Sequence, residues 1–387
     1  MGYSFGREDV AFLGSAAGNA ALAEVDRLEL TPATLLRDLE RVRREFGARS
    51  GALIETVRLR RRAAAKLDDS GQWLFTDDAL QQATPTLVAR HRADRLSGRA
   101  VHDVTCSIGA ELAALTRTCP SVLGSDLDDV RLSMAAHNLA DSRNILLAKA
   151  DALTPCSTGT VVIADPARRA DGRRTHDPAK LQPPLPDLLA AYPGRDLAVK
   201  CAPGLDFDRL GWSGEIEVVS LDGAVREACL WSAGLSAPGV TRRATVLSTR
   251  AEPATYTDAA PDDIPQRDPG EWIIDPDGAI VRAGLVRHYA AEHGLWQLDP
   301  RIAYLTGDSV PEGVRGFRIV ERLELREKTL RQELTRRDCG TLEILVRGVD
   351  IDPDTLRKRL KLRGTAPYTL VLTRIARTAA AFLCTPA

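Results

Sequence analysis

The chain holds seven cysteines in 387 residues, none in a CxxC pair, and its six histidines are scattered. Neither residue type gives a zinc-ligand spacing, so no metal site is expected, and the cysteines read as reduced thiols of a cytoplasmic protein. No stretch approaches 18 uninterrupted apolar residues, so no membrane partner is expected. The opening MGYSFGREDVAFL lacks the basic region and apolar run of a secretory signal, and Gly2 sits in a context poor for acylation. A strict GxGxxG is absent, which leaves a pyrophosphate without a ready cradle. Trp212, Trp231, Trp272 and Trp296 lack the spacing of a base-stacking platform, and no internal repeat is present. Net charge is also missing: 52 basic residues face 53 acidic ones, which argues against a binder driven by one charged tail.

What is present is unevenly distributed. Residues 313–387 carry 16 Lys or Arg against 9 Asp or Glu, a net of +7, so the rest of the chain is near −8. A chain of this length is expected to form two or three units. The first, 1–98, reads as a helical cap. Thr31 and Pro32 make a helix start followed by Leu35, Leu36, Leu39, Val42 and Phe46 at helical spacing. A second start at Thr84 and Pro85 leads into Leu87, Val88, His91 and Leu96, with a stop at Ser97 and Gly98. Residues 99–250 then alternate β-rich and helical runs, the pattern of a parallel sheet with crossover helices. The last runs of this region, EIEVVSL, EACLWS and ATVLST, are too close for full helices and predict an antiparallel finish. Residues 251–312 read as a Pro- and Asp-rich linker (251–271), one helix ending at Gly294 and a loop-rich connector. Residues 313–387 read as a small, basic α/β unit.

The chemistry is expected where strands end. In open α/β sheets, ligands bind beyond the carboxyl ends of strands at the point where strand order reverses. VHDVTCSIG ends a strand at Asp103 and turns into the helix AELAALTRT, with small residues through the turn that let backbone amides approach a ligand. VLGSDLD ends on Asp126 and Asp128, AKADAL carries Asp151, and VVIADPARR ends on Asp165. Asp126, about 20 residues beyond the first turn, stands where a carboxylate accepts both ribose hydroxyls. Asp151 stands where a short polar group accepts from an adenine amine. So many carboxylates favour a cationic ligand over a phosphate, and S-adenosylmethionine is such a ligand.

These segments carry a family resemblance. VHDVTCSIGAEL resembles motif I of class I S-adenosylmethionine-dependent methyltransferases, in the DLxCGxG form of RNA methyltransferases. VLGSDLDDVRLSMAAHNL resembles their second motif, AKADAL their third, and ADPARR their fourth, which in nucleic-acid enzymes reads DPPY, NPPY or DPPR. Residues 70–387, with FTDDALQQATP before the first strand and the basic end, are similar to bacterial methyltransferase-like proteins that finish in a THUMP-like domain. The resemblance implies a Rossmann-like, seven-stranded methyltransferase sheet behind an N-terminal helical region, with a small C-terminal α/β THUMP-like domain. It also implies cofactor contacts from Gln82, Thr84, Asp103, Thr105, Cys106, Ser107, Ile108, Gly109, Asp126, Leu127, Asp128, Asp151, Ala152 and Asp165, and catalytic roles for Asp165 and Arg168. Ser107 stands where the family pattern has glycine. Arg168 stands where amine-directed enzymes have an aromatic.

Each residue has a plainer duty to set against this one. Asp103 and Asp126 suit helix capping and Thr84 an N-cap. Arg168, Arg169, Arg173 and Arg174 suit either a phosphate clamp or a solvated loop. Cys201, in VKCAPG, faintly resembles the nucleophile segment of uracil-C5 methyltransferases, although a buried small residue is the commoner use. The expected function is transfer of a methyl group to a base in structured RNA, tRNA or rRNA. The alternatives are a small-molecule or protein methyltransferase, and a non-catalytic RNA binder with a degenerate cofactor pocket.

Overall fold

The computed structural model describes residues 3–167, 169–170, 173–174 and 177–386, the side chains of 169, 170, 173, 174 and 386 excepted. It divides into two units, Met1–Gly214 with Ala228–Ser236, and Glu215–Glu227 with Ala237–Ala387.

The first unit opens with α1 (Arg7–Leu13), α2 (Ala16–Asp26), α3 (Leu35–Phe46), α4 (Ser50–Ala63), α5 (Asp77–Gln82) and α6 (Thr86–Arg95). Ser15 and Thr76 cap α2 and α5, their hydroxyls accepting from the amides of Gly18 and Ala79 at 3.1 Å each. The helix expected at Thr31 starts at Leu35, because Thr31–Thr34 form a turn in which the Thr31 carbonyl accepts from the Leu35 amide. Leu36, expected on the apolar stripe, is 78% exposed instead. The apolar faces of these helices bury Leu13, Leu22, Val42, Leu53 and Val57 in a cluster that continues into Ile108 and Met134. The helical region thus packs on the turn that follows Asp103 and on the helix that carries Met134.

That sheet is built from β1 (Val101–Asp103), β2 (Val122–Asp126), β3 (Ile145–Lys149), β4 (Val161–Ala164) and β5 (Leu197–Cys201); β6 (Glu215–Leu221) belongs to the second unit, and β7 (Ala224–Trp231) returns its last residues to the first. Strand order within the unit is β3-β2-β1-β4-β5-β7. The first five strands are parallel and β7 is antiparallel to β5. β1, β4 and β5 are buried along their whole length, as befits strands covered on both faces. The crossovers include α7 (Ala110–Thr118), α8 (Asp129–Asn138) and α9 (Leu185–Ala191). Order reverses between β1 and β4, so a crevice is expected above their ends.

In the second unit β6 runs parallel to β8 (Arg242–Leu247), which pairs antiparallel with β9 (Ala254–Thr257). The antiparallel finish therefore holds for β5–β7 and β8–β9 but not for β6–β8. β9 lies inside the stretch read as linker; its prolines flank the strand, leaving the ladder donors of Ala254–Thr257 intact. After β10 (Trp272–Ile274), the single helix expected through Gly294 is two, α10 (Gly278–Ala283) and α11 (Val286–Glu292), broken where Gly284 adopts φ +78°. β11 (Trp296–Gln297), β12 (Leu305–Gly307), β13 (Gly316–Glu324), α12 (Glu327–Arg336), β14 (Cys339–Val346), α13 (Pro353–Leu360), β15 (Ala366–Ile375) and β16 (Thr378–Pro386) complete the chain. Sheet order is β11-β12-β10-β13-β16-β15-β14. Leu330 and Leu334 of α12 and Leu360 of α13 pack with Leu342, Leu370 and Leu383. The small α/β unit expected over 313–387 is formed by β13, α12, β14, α13, β15 and β16.

Candidate cofactor and active site

A cavity of about 390 Å3 opens above the switch point, within the size range of small-molecule sites. The turn after β1 builds its floor. Asp103 Oδ1 accepts from the Thr105 amide at 3.0 Å, and the Thr105 hydroxyl accepts from the Asp165 amide at 2.7 Å, which ties the ends of β1 and β4 together. Ser107 sits at φ +50°, a left-handed conformation that costs a non-glycine residue about 1 kcal/mol. Its amide donates to Asp126 Oδ2 at 2.9 Å, and this bond helps hold the strained turn. Gly109, at φ +82°, has no such latitude: a Cβ there would meet Leu139 Cδ1 at 2.6 Å.

The structure brings together most of the residues named from sequence. Gln82, Thr84, Asp103, Thr105, Cys106, Ser107, Ile108, Asp126, Leu127, Asp151, Ala152 and Asp165 all line this cavity. Gly109 and Asp128 do not. Gly109 packs against Leu139, and Asp128 caps α8, its Oδ1 accepting from Val130 and Arg131 amides at 2.9 and 3.0 Å. The capping duty considered for Asp126 thus falls to Asp128. Thr84 does not cap α6; its hydroxyl accepts from Lys200 Nζ at 2.6 Å. Arg168 lies outside the described residues, as do the side chains of Arg169, Arg173 and Arg174. Cys201 is buried and does not line the cavity.

Reading the sequence missed Lys200 and Glu111. Lys200 lines the cavity, is 7% exposed, and donates to Asp165 Oδ2 at 2.5 Å. The available signal was one lysine interrupting the apolar run LAVKCAP; alternation along β5 presents Lys200 and Cys201 to opposite faces. Glu111, in the first turn of α7, pairs with Arg92 of α6 at 2.8 Å, the two side chains 7% and 3% exposed. An acid in a first helical turn is ordinary in sequence, so nothing marked it.

Burial dominates the electrostatics. It raises Asp103 to about 7, with the Glu111 carboxylate adding to the effect and Lys200 opposing it. Burial also pushes the Cys106 thiol well up, helped by Asp103 and Asp126, so Cys106 is no nucleophile. Five carboxylates line the cavity against Arg131 and Lys200. No group of three potential metal ligands occurs among the described residues, and no helix among them is long and apolar enough to cross a membrane. Carboxylates positioned for hydroxyls and amines, in a cavity poor in phosphate-binding groups, fit S-adenosylmethionine, which carries two cationic centres, a ribose and an adenine.

The sheet order and the acidic cavity at its switch point define a Rossmann-like methyltransferase. Comparison with known proteins agrees. The chain is 57% identical over 344 residues, 86% of its own length and 95% of the relative's, to an uncharacterized S-adenosylmethionine-dependent methyltransferase of Mycobacterium tuberculosis strain CDC 1551 / Oshkosh, and equally to one of strain H37Rv. It belongs to this family of S-adenosylmethionine-dependent methyltransferases. Residues 314–386 match the family described as THUMP domain-like, and residues 6–63 match a domain of unknown function (DUF8688). A crystal structure of a candidate methyltransferase from Porphyromonas gingivalis W83 shares the fold, at TM-score 0.75 and 19% identity with all of both chains covered.

Proposed function

We propose that this enzyme methylates a base in structured RNA, tRNA or rRNA. The observation carrying this reading is the basic character of the THUMP-like segment: a net of +7 over residues 313–387, with Lys358, Arg359, Lys361 and Arg363 exposed at and beyond the end of α13. Such a surface suits recognition of RNA by shape and phosphate. In this division of labour, residues 99–250 are the catalytic core, 1–98 the cap, 251–312 the connector and 313–387 the RNA-binding domain.

Asp126 holds the ribose hydroxyls, and the Ser107 and Asp128 amides orient its carboxylate. Asp151 and Ala152 meet the adenine, while Gln82, Thr84, Asp103 and Thr105 surround the amino-acid end. When bound, S-adenosylmethionine supplies a methyl group on a sulfonium. Asp165, fixed by Lys200, accepts a hydrogen bond from the acceptor N–H, and transfer then depends chiefly on in-line positioning. The reading also carries the expectation from sequence that Arg168, Arg169, Arg173 and Arg174 clamp phosphodiesters, on side chains that lie outside the described residues. Replacing Lys358, Arg359, Lys361 and Arg363 by Glu tests the RNA reading. Affinity for bulk tRNA should fall at least tenfold and lose much of its salt dependence, with binding of S-adenosylhomocysteine unchanged. Unaltered RNA affinity would favour a small-molecule or protein acceptor.

A further inference from the structure

Asn138, the last residue of α8, spends its carboxamide on backbone groups of two other segments. Its Oδ1 accepts from the Leu74 amide at 2.7 Å, and its Nδ2 donates to the carbonyls of Leu74 at 3.1 Å and Ile108 at 3.0 Å. Only one orientation of the amide satisfies that set of one N–H and two carbonyls. Both segments build the cavity. Ile108 belongs to the floor turn and lines it. Leu74 is fully buried outside the cavity and begins a strap, residues 74–84, whose Ala79, Gln82, Ala83 and Thr84 line it. Lys66 Nζ donates to the Leu80 and Gln81 carbonyls at 3.0 Å each, and Lys200 donates to the Thr84 hydroxyl, so the strap is tied at its start, middle and end. Of these ties, the one at Asn138 also holds the floor turn.

We propose that Asn138 is a positioning residue for cofactor binding: it fixes the strap relative to the turn that follows β1, without itself lining the cavity. The proposal rests on the reading of this cavity as the S-adenosylmethionine site. Binding groups are only as precisely placed as the groups behind them hold them. Without the Asn138 carboxamide, the Leu74 amide and carbonyl and the Ile108 carbonyl lose these partners, in residues 0% and 1% exposed. Buried backbone groups left in that state are costly, and the strap reaches water for them by shifting away from the turn. α8 lies in residues 99–250 and the strap in 1–98, so a residue of the core fixes a wall that the cap supplies. His137, beside Asn138, adds a bond from Nε2 to the Gln72 carbonyl at 3.1 Å, just ahead of the strap.

Asn138→Asp supplies the test. A carboxylate there keeps an acceptor for the Leu74 amide but has no donor for either carbonyl, whereas a protonated carboxyl recovers one donor. The two carbonyls disfavour the anion, so the introduced group should take up its proton at mildly acidic pH. S-adenosylhomocysteine affinity is measured by titration calorimetry and divided by the wild-type value at each pH, which cancels the titration of Asp103. It should be at least tenfold weaker than wild type at pH 8 and return to within about threefold at pH 5. Asn138→Leu, similar in size and without hydrogen-bonding groups, should be weakened alike at both. The wild type gives an independent readout: saturating S-adenosylhomocysteine should slow hydrogen exchange at the Leu74 amide roughly threefold or more, although Leu74 lies outside the cavity. Full affinity of Asn138→Asp at pH 8, a deficit that does not narrow at pH 5, or unchanged exchange at Leu74 would each overturn the role of Asn138 and leave the cofactor site standing. Failure of S-adenosylhomocysteine to bind the wild type removes the cofactor reading and this role with it.

Discussion

Lys200→Met isolates the contact that anchors the proposed catalytic carboxylate. The ammonium of Lys200 is buried between the Thr84 hydroxyl at 2.6 Å and Asp165 Oδ2 at 2.5 Å. Methionine matches the stem in length but offers no donor. The Thr84 hydroxyl, in a residue 5% exposed, would lose this donor, at about 1–2 kcal/mol. Asp165 would lose its counter-charge, but its side chain is 37% exposed, so water takes over part of that role. The desolvation cost of burying an ammonium is recovered as well, and the net destabilisation comes to about 1–3 kcal/mol rather than the larger loss of a fully buried pair. Urea unfolding followed by tryptophan fluorescence measures it, provided the slope with denaturant is unchanged. A double-mutant cycle with Asp165→Asn should return a coupling of about 1–2 kcal/mol. A loss below 0.5 kcal/mol for Lys200→Met, or strict additivity in the cycle, would refute the anchoring role.

Three further outcomes follow from the same geometry. Asp126→Ala removes the proposed ribose acceptor and the partner of the Ser107 amide, and should weaken S-adenosylhomocysteine by about 10–100-fold in calorimetry, with a loss under threefold counting against ribose binding. Ser107→Gly relieves the φ +50° strain and, after the extra chain entropy of glycine, should change stability by less than about 1 kcal/mol in the stabilising direction; a clear loss of stability would show that the serine side chain matters more than its backbone angle. Neighbouring residues of β1 titrate in opposing senses. Asp103, raised from 3.8 to about 7 by burial and then Glu111, gives stability complete below pH 3.8 and lost as pH rises through 7. His102, pushed down from 6.5 to about 4 by burial and then Arg195, gives stability present above pH 6.5 and lost as pH falls through 4. The two offset between pH 4 and 6.5. Asp103→Asn should therefore gain about 2–4 kcal/mol at pH 8 while weakening the cofactor, and no gain there would contradict a buried, charged Asp103.

Strand ends were legible because β1, β2 and β4 are short apolar runs closed by acids, with Asp151 just beyond β3, and one fold requirement places those acids together. That is why Asp103, Asp126, Asp151 and Asp165 meet in one cavity. Two classes of feature were not legible. The first is local backbone geometry: Gly284 breaks one apparent helix into two, and Ala254–Thr257 forms a strand between the prolines of an apparent linker, an outcome decided by pairing with β8. The second is partnership across distance. Lys200 reads as a stray charge until Thr84 and Asp165 are seen beside it, and Glu111 reads as a helix-start acid until Arg92, 19 residues earlier, is seen to hold it. Asp126 and Asp128 show the limit from another side. Both close the run VLGSDLD, yet only Asp126 faces the cavity and Asp128 caps the next helix.

The most direct test of an RNA methyltransferase is transfer of labelled methyl from S-adenosylmethionine to total RNA from cells lacking this protein, with Asp165→Ala alongside. Label should enter nuclease-sensitive RNA with the wild type and vanish with Asp165→Ala, whose affinity for the cofactor stays within a few fold. Label found only in protein or small molecules, or undiminished in RNA by Asp165→Ala, would contradict the account.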